Sequence, residues 1–154
     1  PKFIKQIKAG EKVTITDPEM TRFSINMDEA LDFILKASEI GEGSDIFIPK
    51  MKAYSIMDIK NVLVELLEDT GEEIVGIRLG EKLHEVLINR DEIRYSWEIN
   101  DMYMISNPIF SDEIIKQKYP GIKKIDSLAE YSSEKVEKMN KEEIKNQIEK
   151  LGFL

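Results

Sequence analysis

A chain of 154 residues with 22 Lys and Arg against 30 Asp and Glu carries a formal charge of −8, which repels phosphate backbones at long range and argues against nucleic-acid binding. The absence of cysteine excludes disulfide scaffolds, thiolate zinc sites and cysteine nucleophiles, and it fits a cytoplasmic location. The composition, 42% hydrophobic and 34% charged, is that of one globular domain, and no apolar run approaches the roughly 20 residues that span a bilayer.

In chain order, residues 13–16 (Val-Thr-Ile-Thr) read as a short strand ended by Asp17-Pro18, because proline cannot donate to a sheet ladder. Residues 16–23 then read as a turn. An amphipathic helix is predicted from about Met27 to Ile40, with Met27, Ala30, Leu31, Ile34 and Ser38 on one stripe, and Gly41-Glu42-Gly43-Ser44 stops it. Residues 45–49 form a short apolar strand closed by Pro49. Ser55, with Asp58 three residues later, resembles a capping box and opens a helix whose apolar face is Ile56, Ile59, Val62, Leu63, Leu66 and Leu67. Thr70-Gly71 ends it, residues 73–77 form the next strand, and Gly80 leads into a short helix over about 81–88. Strand and helix alternate with short links, which argues for α/β architecture.

Beyond Asn89 the pattern loosens. Residues 95–106 look extended and hold the single tryptophan, Trp97. Asn107-Pro108 and Tyr119-Pro120-Gly121 flank a short helix. The highly charged stretch 135–151 places Asn140 and Glu143 to cap a final helix, whose narrow seam of Ile144, Ile148 and Leu151 docks on the rest of the chain.

Most chemical signatures are missing. No glycine-rich turn follows a strand, so there is no dinucleotide site, and one histidine without cysteine makes a transition-metal site improbable. His84 reads as a partly exposed packing residue on the short helix. Two segments stand out because each sets an arginine beside a chain reversal: residues 16–23 with Arg22, and residues 76–85 with Arg78. Guanidinium forks from two turns match the oxygens of a diphosphate. Pairing of both arginines with the abundant carboxylates is the competing reading, and the pattern alone does not separate the two.

The segment Asp17-Pro18-Glu19-Met20-Thr21-Arg22-Phe23 resembles the DPxMTRF signature of polysaccharide-biosynthesis dehydratases that act on UDP-N-acetylglucosamine. Asp28-Glu29-Ala30, Ile46-Phe47-Ile48-Pro49-Lys50, and the run Gly76-Ile77-Arg78-Leu79-Gly80-Glu81-Lys82-Leu83-His84-Glu85 follow in that family's order and spacing. The last resembles GxRPGEKLxE, with Leu79 where the family usually has proline. The resemblance runs from Pro1 to about Asn100, and residues 130–154 are more loosely similar to the tail of some members.

The resemblance implies an α/β fold: the small substrate-binding lobe of an extended short-chain dehydrogenase over residues 1–106, and a helical C-terminal extension over residues 107–154. The Rossmann half is expected to be absent, and the start at Pro1 without an initiator Met fits either processing or truncation of a longer polypeptide. The implied activity is a nucleotide-sugar 4,6-dehydratase, with hydride removal at C4, water loss across C5–C6 and hydride return to C6, and with C5 inversion in some members. NAD(P) would be bound by the N-terminal half, so a dinucleotide-binding domain is required and this stretch should not catalyse alone. In the family the two motif arginines flank the diphosphate, which carries over to Arg22 and Arg78. Glu81 would approach the ribose hydroxyls, Lys82 would contact phosphate or stay solvated, and Thr21 with Met20 would shape the turn that aims Arg22. Tyr119 and Lys123 have the spacing of the family's catalytic Tyr-x-x-x-Lys, but Pro120-Gly121 breaks the helix that motif needs. A UDP-sugar substrate, a homo-oligomer and no membrane association complete the expectation. The alternatives are a non-catalytic UDP-sugar-binding module or partner subunit, and part of a nucleotide-sugar 4-epimerase.

Overall fold

A computed structural model describes residues 1–152. The elements in chain order are α1 (Lys2–Lys8), β1 (Val13–Ile15), β2 (Thr21–Phe23), α2 (Met27–Ile40), β3 (Ile46–Pro49), β4 (Ala53–Ser55), α3 (Ile56–Leu66), β5 (Glu72–Ile74), β6 (Val86–Ile88), β7 (Ser96–Ile99), β8 (Met102–Ile105), α4 (Asp112–Lys118), β9 (Lys123–Lys124), β10 (Tyr131–Ser132) and α5 (Lys141–Lys150). The architecture is mixed α/β. Two units interleave along the chain: residues 1–24, 52–85 and 133–152 form one, and residues 25–51 and 86–132 form the other.

In the first unit, Val13 and Ile15 of β1, Ile4 and Ile7 of α1, Val62 and Leu63 of α3, and Ile144 and Ile148 of α5 make a single buried cluster. Each fully buried aliphatic side chain contributes about 1.5–3 kcal/mol relative to exposure. β1 pairs in parallel with β5, and β2 pairs antiparallel with β4, setting Arg22 opposite Tyr54. Ser55 caps α3 by accepting from the amides of Met57 (3.1 Å) and Asp58 (3.4 Å). At α5 the spacing of Asn140 and Glu143 produces the full reciprocal box, each side chain accepting from the other residue's amide. The seam predicted for this helix is partly right: Ile144 and Ile148 are buried, while Leu151 is half-exposed.

The second unit is built on the antiparallel sheet β3-β8-β7-β9, with the separate ribbon β6–β10. Asn100, at φ 51°, makes the tight turn between β7 and β8, a conformation asparagine tolerates better than most residues. Trp97, Met102, Met104, Ile115 and Tyr119 form the core, and the indole nitrogen of Trp97 donates to Ser106 Oγ at 3.1 Å.

Several sequence expectations need correction. Residues 81–88 are not a helix; Val86–Ile88 is a strand paired with β10, and the preceding carbonyls of Leu83 and Glu85 accept from the amides of Thr21 and Ser133. Long-range pairing overrides the local helical pattern there. The strand expected over 73–77 stops at Ile74, and Gly76 (φ 80°) turns the chain away. The turn read over 16–23 closes by Met20, because Thr21–Phe23 is already a strand. The α2 stripe faces outward: Met27, Leu31 and Ile34 are exposed, while Phe33 and Ile40 pack inward. Residues 107–152 contribute α4 and α5 together with β9 and β10, so helix shares that segment with strand.

Candidate functional site

The first arginine-bearing segment is built by an Asx turn. Asp17 Oδ1 accepts from the Glu19 amide at 2.8 Å, the Asp17 carbonyl accepts from Met20 at 3.2 Å, and Met20 is buried. The chain then enters β2, where successive side chains alternate in direction. Thr21 is buried: its Oγ1 lies 2.8 Å from His84 Nδ1 and 2.8 Å from Ser133 Oγ.

Arg22 follows, and its guanidinium is held on one edge. Nη1 donates to the main-chain carbonyls of Thr21 (2.7 Å) and Leu83 (3.0 Å). Nε stands 3.7 Å from Glu85 Oε1, an ion pair too long to be a hydrogen bond. The other carboxylate oxygen of Glu85 accepts from the Phe23 amide at 3.0 Å. Among the described residues no hydrogen bond uses Nη2, and the Arg22 side chain is 19% exposed. Arg22 therefore has two free N–H groups on a guanidinium whose orientation is already fixed. Tyr54, its cross-strand partner, has its hydroxyl pKa raised by burial and by the Glu85 charge, with Arg22 acting the other way. That phenol stays neutral and adds no charge to the site.

Ser133 closes the arrangement from the far end of the chain. Its Oγ accepts from the Glu85 amide at 2.8 Å and lies 3.2 Å from the Thr21 carbonyl, and its own amide donates to the Glu85 carbonyl at 2.8 Å. Two proton arrangements satisfy the hydroxyl chain. In one, Ser133 donates to the Thr21 carbonyl, Thr21 to Ser133, and His84 Nδ1–H to Thr21. In the other, Ser133 donates to Thr21 Oγ1 and Thr21 to an unprotonated Nδ1.

The second arginine sits in a different setting. Gly76 (φ 80°) and Gly80 (φ 87°) bracket a loop in which every residue from 76 to 82 is exposed. Glu81 accepts from the Arg78 amide at 3.1 Å through Oε2 and donates its own amide to the Arg78 carbonyl at 3.0 Å, so the loop is tied only to itself. Neither Arg78 nor Lys82 makes an ion pair among the described residues. Leu79 is fully exposed, where proline would have stiffened the turn.

The structure thus brings Thr21 and Arg22 together with Leu83, His84 and Glu85, and leaves Arg78, Glu81 and Lys82 on the preceding exposed loop. The expectation that the arginines pair with carboxylates holds for Arg22 and fails for Arg78. His84 is a hydrogen-bonding residue in a loop instead of a packing residue on a helix. Glu85 lay inside the motif without a role of its own, and Ser133 gave no signal at all: a serine in a polar stretch looks like surface. Tyr119 ends α4, is buried, and donates to Asp45 Oδ2 at 2.6 Å. Burial and that contact raise its pKa, and Lys123 lies on a separate strand instead of one helical turn further on.

A model of the family described as "Polysaccharide biosynthesis protein" matches residues 1–107. Proteins named UDP-glucose 4-epimerase from Rickettsia massiliae and Rickettsia rickettsii are each 34% identical over the whole of this chain and 46% of their own length. A protein of Methanocaldococcus jannaschii named as an uncharacterised membrane protein is 35% identical over 100% of this chain and 45% of its own. This chain spans about half the length of these curated relatives. Among solved structures, the X-ray structure of Pen from Bacillus thuringiensis superposes with a TM-score of 0.81 at 30% identity, over 99% of this chain and 44% of Pen. No helix among the described residues is long and apolar enough to cross a membrane.

Proposed function

This chain belongs to the polysaccharide biosynthesis protein family, and from that premise we propose that it is the nucleotide-sugar-binding part of a nucleotide-sugar-modifying enzyme, a 4,6-dehydratase acting on UDP-N-acetylglucosamine. The observation that carries this reading is the pair of cations, Arg78 and Lys82, that make no ion pair among the described residues and sit on a glycine-bracketed exposed loop in a chain of net charge −8. With carboxylates this abundant, cations left without partners suit an anionic ligand. The loop runs directly into Leu83, whose carbonyl holds Arg22.

In this reading Arg22 offers the outward N–H groups of Nη2 to one phosphoryl group, while Arg78 and Lys82 supply positive charge. Glu81 uses one carboxylate oxygen on its own loop and has the other for a ribose hydroxyl, since a carboxylate can accept several hydrogen bonds. Thr21 aims Arg22 through its buried hydroxyl contacts. The nucleotide-sugar contacts fall in residues 1–106, with residues 107–154 as the C-terminal extension. Hydride chemistry in such an enzyme is supplied by NAD(P), and the residues of this chain do not fit it. There is no glycine-rich turn between a strand and a helix, and the parallel ladder β1–β5 has two strands among the described residues. We assign the cofactor to a dinucleotide-binding domain outside this stretch, in a cytoplasmic homo-oligomer where the apolar α2 stripe is covered.

The names of the Rickettsia relatives favour a second reading of the same site, a UDP-sugar 4-epimerase. Isothermal titration of the full chain with UDP tests the shared premise. Binding in the wild type, weakened about tenfold or more by Arg78→Ala, is the expected result. Equal affinity in the two proteins would remove the diphosphate assignment. Product analysis with a complete enzyme carrying this part then separates the chemistries: a 4-keto-6-deoxy sugar marks the dehydratase, and a C4-inverted sugar with its 6-hydroxyl intact marks the epimerase.

A further inference from the structure

We propose that Ser133 is a positioning residue for Arg22, so that the segment beyond the family match at residues 1–107 is built into the anion-binding site instead of lying outside it. The inference takes its ligand from the diphosphate reading above. Its geometry does not depend on that ligand.

Arg22 is oriented by groups from β2 and from residues 83–85: the carbonyls of Thr21 and Leu83 on Nη1, and the Glu85 carboxylate beside Nε. These hold the guanidinium only while the two segments keep their spacing. Direct main-chain bonding between them is a single contact, Thr21 amide to Leu83 carbonyl at 3.1 Å. Two side-chain contacts add to it, Thr21 Oγ1 to His84 Nδ1 at 2.8 Å and the Phe23 amide to Glu85 Oε2 at 3.0 Å, and a further link, which ties the main chain of both segments, runs through Ser133. Its hydroxyl, fully buried, touches the Thr21 carbonyl and Thr21 Oγ1 on one side and takes the Glu85 amide on the other.

The Glu85 amide has no other acceptor among the described residues, so removing the hydroxyl strands a main-chain donor. Residues 83–85 must then move to satisfy it, and both the Leu83 carbonyl and the Glu85 carboxylate move with them. The consequence falls on Arg22, although Ser133 does not touch it. A serine is well suited to this task, because one small hydroxyl can accept and donate at once where a longer polar side chain would not fit.

Ser132 supplies a matched control next door. It is equally buried, and its Oγ has no hydrogen-bond partner among the described residues. Ser132→Ala deletes a buried hydroxyl without cutting the link between β2 and residues 83–85.

The experiment reads the guanidinium itself. In the full chain, NMR of the arginine side chains should show separate, slowly exchanging Nη1 and Nη2 signals for Arg22 and a single averaged signal for Arg78. Ser133→Ala should merge the Arg22 signals and weaken UDP binding about tenfold, the worth of one to two net hydrogen bonds. Ser132→Ala should leave both unchanged. A serine that merely stabilises the fold would lower the melting temperature in either variant without touching the Arg22 signals below the transition.

The inference is overturned if folded Ser133→Ala keeps the wild-type Arg22 signals, or if wild-type Arg22 is averaged like Arg78. Should Ser133→Ala fail to fold, Ser133→Cys, of nearly the same size but a weaker donor and acceptor, is read in its place, and unchanged Arg22 signals in it overturn the inference. Absence of UDP binding to the wild type would count against the diphosphate reading, and the guanidinium comparison would still decide the role of Ser133.

Discussion

Arg22 and Arg78 occupy opposite local environments. Arg22 is four-fifths buried, its Nη1 saturated by two carbonyls and its charge offset by Glu85. Arg78 stands on a loop bonded only to itself, with its charge unopposed among the described residues. A neutralised, oriented guanidinium gives direction to a hydrogen bond but little long-range pull. A solvated, unpaired one gives pull without direction. The anion site proposed above needs both, and in that proposal the two tasks are divided between the segments.

Removing the floor under the fixed segment should have the largest effect. Ile15, completely buried in β1 against α1, α3 and α5, should cost about 2–5 kcal/mol as Ile15→Ala. Chemical denaturation measures it. The fixed segment should loosen with the core, and the Arg78 loop, which buries nothing, should keep its solvent accessibility to limited proteolysis.

Thr21→Val comes next. It keeps the volume and deletes the hydroxyl that contacts His84 and Ser133, stranding buried partners at a cost of about 1–3 kcal/mol. The corresponding change in the loop, Gly80→Ala, should cost about 1–2 kcal/mol. No atom lies within 4 Å of the added methyl, so the whole effect is the φ of 87°. If Gly80→Ala proved the more damaging of the two, the loop would be the rigid element and the division of tasks would be reversed.

How much of this was legible in the sequence follows the same line. Helix α2 ran from Met27 to Ile40 as the spacing predicted, and the caps of α3 and α5 were readable because a cap is a local event. A chain reversal beside Arg78 was also readable at Gly80, but the length and exposure of the loop were not, because residues 73–77 read as strand and 81–88 as helix. What failed was everything decided at long range. Residues 81–88 carry a helical pattern, but their main-chain groups are claimed by Thr21, Ser133 and β10. Those partners lie far away along the chain, and no periodicity reports them. Arg22 and Arg78 were singled out by their place beside chain reversals and given roles by resemblance, while the residues that set their difference, Glu85 and Ser133, came only from the geometry.

The smallest effect expected concerns the tether of the segment that carries Ser133. Residues 137–139 are bonded to β4 through Ala53, and Lys52 reaches both Glu137 (2.6 Å) and Glu143 (2.8 Å). The hydrogen bond from Lys52, then that from the Asn140 amide, lowers the pKa of Glu143 below its ordinary 4.5. A carboxylate with a depressed folded pKa contributes stability that is fully present above its unfolded value and lost as pH falls through the folded one. The urea midpoints of wild type and Glu143→Gln should therefore differ slightly at pH 7 and converge as the pH drops well below 4.5. The gap should narrow with salt, because these groups are exposed. A difference that persisted unchanged to low pH would mean that Glu143 acts through its capping geometry, which glutamine preserves in part, and that the tether to Lys52 adds nothing to holding Ser133 in place.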